Sequence, residues 1–136
     1  IKNPAPLIDE KRGRIEIEND MPVIKADRLR VTQVFSNLFT NALKYSHPDR
    51  PPTIGVRHDT QGNFHIFSVS DNGVGIPEEH WKSIFDIFYR ASDNRVEGTG
   101  IGLSIVKKAL AVMGGDIWLK SQPGVGSTFY FTIPME

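Results

Sequence analysis

Asn37, Asn41 and Lys44 recur at i, i+4 and i+7, so on a helix all three leave one face, and Gln33 extends that line by a turn. Amide oxygens are hard ligands that suit Mg²⁺, a cation that keeps several waters and shares its shell with phosphate oxygens. A lysine one turn on is a mobile point charge for a phosphate. A solvated helix face fits the same residues, and the two readings stand level. A second group is Asp71-Asn72-Gly73-Val74-Gly75-Ile76. On a period of two, Asp71 shares a face with Val69 and Phe67, which pushes a carboxylate toward apolar surroundings. A carboxylate so placed needs a donor partner. An exocyclic amine of adenine is one such donor, and Gly73 and Gly75 would admit a flat base without Cβ interference. A strand that ends in an ordinary Asp/Asn/Gly turn explains the same residues.

Gly98-Thr99-Gly100-Ile101-Gly102-Leu103 opens a helix, whose free N–H groups favour phosphate. No Gly-Lys-Ser/Thr follows, so this is no P-loop, and it lacks the strand and the distal acid of a dinucleotide fingerprint. Taken alone it also describes a flexible helix-entry loop. Between these groups lies Phe85-Asp86-Ile87-Phe88-Tyr89-Arg90. Phe85 and Phe88, at i and i+3, are ordinary core residues or the base of a lid over residues 91–98. Such a lid would carry Arg90 and Arg95 to phosphates, where guanidinium groups bind bidentately. For Arg95 a plain surface role fits slightly better.

These residues need elements to hold them. Alternation over 13–18 predicts a half-buried strand, and 23–26 a second short one. Asp27 is the expected N-cap of a helix over 28–46, whose stripe of Val31, Val34, Phe35, Leu38, Ala42 and Tyr45 faces a core. Two strands, 53–59 and 63–71, are joined at Thr60-Gln61-Gly62 as a hairpin. Pro77, with Glu78 and Glu79 after it, starts a short helix to about residue 88. A helix over 103–113 ends at Gly114-Gly115, and strands over 116–121 and 128–134 flank Gly124-Val125-Gly126. Hairpin-linked strands among about three helices suggest an α+β two-layer sandwich, a mixed sheet covered on one face by those helices. Residues 1–12 read as the end of a linker and 13–136 as one domain.

Composition restricts the partners. Sixteen basic residues balance sixteen acidic ones, so no positive field recruits nucleic acid or an anionic membrane. The chain has no cysteine, which excludes disulfides, thiolate nucleophiles and Cys-type zinc sites and fits a cytoplasmic setting. No apolar run approaches the roughly 20 residues that span a bilayer. The chain opens at Ile1 rather than Met, which leads us to expect a piece of a longer protein.

Taken in order, the motifs resemble the histidine-kinase branch of the GHKL ATP-binding superfamily, which includes gyrase B, Hsp90 and MutL. Residues 33–46 resemble its N box, 71–76 its G1 box, 85–90 its F box and 98–103 its G2 box, and 124–129 match its last glycine turn. The resemblance covers nearly the whole chain, and it implies the Bergerat ATP-binding fold with ATP and Mg²⁺ as cofactors. It implies that Asn41 ligates Mg²⁺ with Asn37 nearby, that Lys44 touches phosphate and that Tyr45 lies against adenine. Asp71 would accept the adenine amine with support from Thr128, and Gly73, Gly75, Ile76 and Phe88 would line the base pocket. Gly98, Thr99, Gly100, Ile101, Gly102 and Leu103 would wrap the triphosphate, while Arg90 approaches the γ-phosphate. Where gyrase and Hsp90 relatives carry a water-activating glutamate, this chain has Asn37, an amide that takes no proton at neutral pH.

The resemblance therefore implies transfer of the γ-phosphate to a histidine on a separate dimerisation helix domain of the parent protein, a sensor histidine kinase of two-component signalling. Catalysis would rest on Arg90, Lys44 and Asn37. A response regulator receiver domain would be the indirect partner, and the parent could be membrane-anchored. His47, His58, His65 and His80 all lack the helical setting of the family's acceptor, so autophosphorylation should need the missing domain. Dimerisation belongs to those helices, so the present chain should be a monomer. A GHKL Ser/Thr kinase of the anti-sigma type, or a degenerate module that binds nucleotide or docks to partners, is the alternative reading.

Overall fold

The computed structural model describes residues 13–86 and 102–135. The linker assigned to 1–12 lies outside them. Five strands form one mixed sheet in the order β1-β2-β3-β5-β4: β1 (Arg14–Ile17), β2 (Thr53–Gln61), β3 (Phe64–Asp71), β4 (Ile117–Gln122) and β5 (Gly126–Pro134). Among the described residues only the β1–β2 pair is parallel. Two α-helices among the described residues, α1 (Arg28–Lys44) and α2 (Gly102–Val112), pack against one face.

Local chemistry sets the ends of these elements. Asp27 caps α1 by accepting from the Leu29 and Arg30 amides at 3.0 and 3.2 Å. Gly114, at φ 86°, ends α2, where Gly115 N donates to Leu110 O at 2.7 Å and Gly114 N to Ala111 O at 3.1 Å. This is the paired-bond geometry of a Schellman cap. Beneath the helices the two central strands stack in register, with Phe67 beside Phe131 and Val69 beside Phe129. Phe35 of α1 meets the rings of Phe67 and Phe131 edge-on at 5.7 and 5.2 Å. Of the predicted stripe, Val34, Leu38 and Ala42 are buried with Val106, Leu110 and Phe131, and Val31 and Phe35 pack half-buried against them. Tyr45 stands outside this core, and Leu43, which the stripe did not include, is buried in it.

Three expectations fail. Residues 23–26 form no strand, and Val23 is fully exposed. Pro22, next to the segment, removes a backbone donor, and no described strand of the sheet pairs with these residues although β1 leaves its outer edge free. The short helix expected from Pro77 is a pair of 3₁₀ turns over the described part, Glu78–His80 and Ser83–Phe85. Neither turn has a side-chain cap, and each closes through i→i+3 bonds such as Trp81 N to Glu78 O at 3.1 Å. The hairpin turn also falls one residue later than read, at Gly62-Asn63, because Gln61 pairs with Phe64.

Candidate functional site

The C-terminal half of α1, the end of β3, the start of β5 and the start of α2 converge on one end of the sandwich. Asn37 donates from Nδ2 to Gln33 O at 2.8 Å, which fixes its amide along the helix. Its Oδ1 then faces the start of α2, where a Cβ added to Gly102 would stand 3.4 Å away. Leu103 next to it is buried in the core. Asn41 is half-buried one turn further along α1, and Lys44 is exposed in the last turn. The expected Asn37, Asn41 and Lys44 side of α1 thus borders the entry of α2.

Tyr45 caps the end of α1, and its carbonyl accepts from Val74 N at 3.0 Å. That bond ties the helix to the loop after β3. Gly73 passes so close to the Tyr45 carbonyl that a Cβ there would collide with it. Gly75 has φ 79° and runs against the Gln122 backbone, so only glycine fits without strain. Beyond it, buried Ile76 is held at both backbone groups. Its N–H donates to Ser121 Oγ at 2.7 Å, and its carbonyl accepts from Trp81 Nε1 at 2.9 Å.

Asp71 follows Val69 and Phe67 on the helix-facing side of β3 and is half-buried. Its Oδ1 accepts two amides, Gly73 N at 2.9 Å and Ser127 N at 3.2 Å. Among the described residues no donor meets Oδ2. Burial pushes the carboxyl above its ordinary value of 3.8, against the lowering effect of the two amides. The arrangement offers a half-buried anionic acceptor, one oxygen saturated and the other open, backed by apolar strands. A ligand amine would satisfy it.

Thr128 does not join this cluster. It lies on the opposite, helix-free face with Ser68, Ser70, Lys120 and Tyr130. The residue opposite Asp71 is Ser127, which is buried and shares a 2.7 Å bond with Ser121 Oγ. Ser121 also donates to Gly126 O at 3.0 Å, and a hydroxyl has one proton, so Ser127 is the donor between them. The sequence held the signal: the apolar phase Phe129, Phe131, Ile133 extends back to Ser127 and not to Thr128. Ser121 and Trp81, which clamp Ile76, carried no comparable sign. Phe85 lies edge-on to Phe129 at 6.4 Å with Lys107 Nζ 5.4 Å over its ring, a core contact. Phe88, Arg90, Gly98, Thr99, Gly100 and Ile101, with Arg95 and the lid over 91–98, lie outside the described residues.

Comparison with known proteins agrees with this layout. A family model described as "Histidine kinase-, DNA gyrase B-, and HSP90-like ATPase" matches residues 26–136. The chain is 43% identical over 136 residues to the phytochrome-like protein Cph1 of Synechocystis sp., an alignment covering 99% of this chain and 18% of that protein. It is 44% identical over 122 residues to the adaptive-response sensory kinase SasA of Prochlorococcus marinus, covering 88% of this chain and 32% of that one. The chain thus spans less than a third of the length of these curated relatives. Among solved structures, full-length ShkA in complex with AMPPNP superposes with a TM-score of 0.82 at 29% identity, covering 96% of this chain and 27% of that one.

Proposed function

Because the chain belongs to the histidine kinase-, DNA gyrase B- and HSP90-like ATPase family, we propose that it binds Mg-ATP and delivers the γ-phosphate to a histidine on a separate dimerisation helix domain of its parent protein. The observation that carries this reading is Asp71, whose Oδ2 has no described donor while Oδ1 holds two amides. The adenine exocyclic amine supplies the missing donor. Gly73 and Gly75 give up their Cβ space to the Tyr45 carbonyl and the Gln122 backbone, and so shape the turns beside the base rather than open room for it. Among the relatives, SasA bears the name of a sensory kinase, and the ShkA structure holds AMPPNP.

The residues present fit the metal as well as the base. Among the described residues no three His, Asp or Glu gather to hold a cation, so Mg²⁺ would depend on Asn41, with Asn37 beside it, and on phosphate oxygens. When bound, the ion would neutralise phosphate charge. Lys44, exposed at the helix end, reaches a phosphate as a mobile cation, and Asn37 offers no base to activate water. Arg90 and the glycines 98, 100 and 102 complete the proposal toward the γ-phosphate. Catalysis by such a site is positioning and charge stabilisation.

The phosphate acceptor is proposed to lie on another domain of the parent. His47 stands in a loop, His80 in a 3₁₀ turn, and His58 and His65 on the sheet, bonded to each other at 2.9 Å. A receiver domain would take the phosphate afterwards. Calorimetric titration of Mg-ATP into this chain tests the proposal. Saturable binding between about 1 µM and 1 mM, roughly −8 to −4 kcal/mol, is expected. A folded chain that gives no saturable heat would overturn it.

A further inference from the structure

Arg50 lies in the loop between α1 and β2, outside every group of residues assigned a role above. Its guanidinium meets four backbone carbonyls. Nε donates to Asn72 O at 2.7 Å, and Nη2 lies 3.2 Å from Gly73 O, 3.0 Å from Gly124 O and 3.2 Å from Val125 O. The first pair belongs to the loop after β3, the second to the β4–β5 turn. One planar cation therefore spans the two turns that flank the base site.

What lies on the other edge of those peptide units gives the contact its meaning. In a planar trans peptide the C=O and N–H point to opposite sides. The unit whose carbonyl is Asn72 O carries Gly73 N, which donates to Asp71 Oδ1 at 2.9 Å. The next unit, with Gly73 O, carries Val74 N, which donates to Tyr45 O at 3.0 Å. Holding the two carbonyls toward Arg50 aims the two N–H groups at Asp71 and at the end of α1. On the second turn, Val125 lies two residues before Ser127, whose N–H is the other donor to Asp71 Oδ1. A direct bond, Gly124 N to Val74 O at 2.7 Å, also joins the two turns.

We infer that Arg50 is a positioning residue of the adenine site: its fork holds the two turns so that the Gly73 and Ser127 amides converge on Asp71 Oδ1 and leave Oδ2 for the base. The inference rests on the nucleotide reading proposed above. Lysine cannot replace it, because one ammonium lacks the planar fork that reaches four acceptors. The loop after β3 also has anchors that do not involve Arg50. Asn72 anchors the loop separately, accepting from Thr53 N at 2.9 Å and donating to Pro51 O at 3.1 Å.

The test measures ATP and ADP affinity for the wild-type chain, Arg50→Ala and Arg50→Lys, with amide hydrogen exchange on the same three. Both variants should bind ATP and ADP about tenfold more weakly, a common factor because the base is shared. Exchange at Gly73 and Ser127 should accelerate while Phe67 and Phe131 in the central strands stay protected. Unchanged affinity in Arg50→Ala overturns the inference while leaving the nucleotide site standing. So does full affinity in Arg50→Lys, a loss confined to ATP, or faster exchange throughout the sheet. A folded wild-type chain that binds neither nucleotide overturns the underlying reading and this inference with it.

Discussion

Asp71→Asn should weaken nucleotide binding and leave folding intact or improved. The introduced amide retains an oxygen able to accept from Gly73 N and Ser127 N, now 2.9 and 3.2 Å from Oδ1, so the local scaffold survives. Two things change: the charge disappears, and an acceptor facing the base becomes a donor. A hydrogen bond to a charged group contributes about 1.5–3 kcal/mol, so Kd for Mg-ATP should rise roughly 10- to 150-fold. The stability effect has the opposite sign. Burial raises the Asp71 carboxyl above 3.8, so the folded state favours the protonated form. That contribution is fully present below pH 3.8 and is lost as pH rises through the folded pKa, so at neutral pH the carboxylate costs stability. Calorimetric titration and thermal unfolding at pH 7, with unfolding repeated toward pH 4, read both effects. The Tm of the variant should equal or exceed that of the wild type at pH 7, and the gap should close on acidification. A variant that binds Mg-ATP as tightly as wild type would remove Asp71 from base recognition. One whose Tm falls by many degrees at pH 7 would refute the account of its burial.

Ser127→Ala keeps the backbone amide on Asp71 but removes the hydroxyl bonded to Ser121 Oγ, which holds Ile76. It should weaken Mg-ATP binding by several-fold, about 1 kcal/mol for a lost hydroxyl bond, whereas Thr128→Ala should leave Kd unchanged. The same titration ranks the two, and a larger effect at Thr128 would reverse the assignment made here. Phe131→Ala removes the buried ring between Phe35 and Phe67 and should destabilise the chain by about 3–5 kcal/mol in urea unfolding. His58 is held below its ordinary 6.5 first by burial and then by His65, against Asp59. Its stability contribution is therefore present above pH 6.5 and lost as pH falls through the lower folded value. Unfolding free energies between pH 5 and 7.5 should show this slope in the wild type and a flatter one in His58→Gln, and parallel profiles would exclude His58 as its source.

Elements with strong local signals were legible in the chain. Asp27, the apolar stripe from Val31 to Ala42 and Gly114-Gly115 specify α1 and the end of α2, because capping and helical periodicity act within a few residues. Alternation likewise placed Asp71 on the face shared by Phe67 and Val69. The segment at 23–26 misled because β-like composition over four residues does not by itself supply a pairing partner, and no described strand of the sheet pairs with it. The turns after Pro77 misled because a helical pattern this short is decided by its anchor, here Trp81 on Ile76 O. Thr128 was one residue out of register, an error that reverses which face of a strand a side chain occupies.

The types and order of the chemical groups, two asparagines and a lysine on one helix face, a carboxylate after an apolar strand and glycines at the turns, were determined by the sequence alone. Periodicity and glycine's freedom are local properties. Which atoms meet was decided only by the tertiary structure. Ser127 rather than Thr128 faces Asp71, Ser121 and Trp81 hold Ile76, and Arg50 reaches carbonyls more than 70 residues away, from Gly124 to Val125. Those contacts join segments far apart in the chain, so they exist only once strand register and helix packing have brought the backbones together.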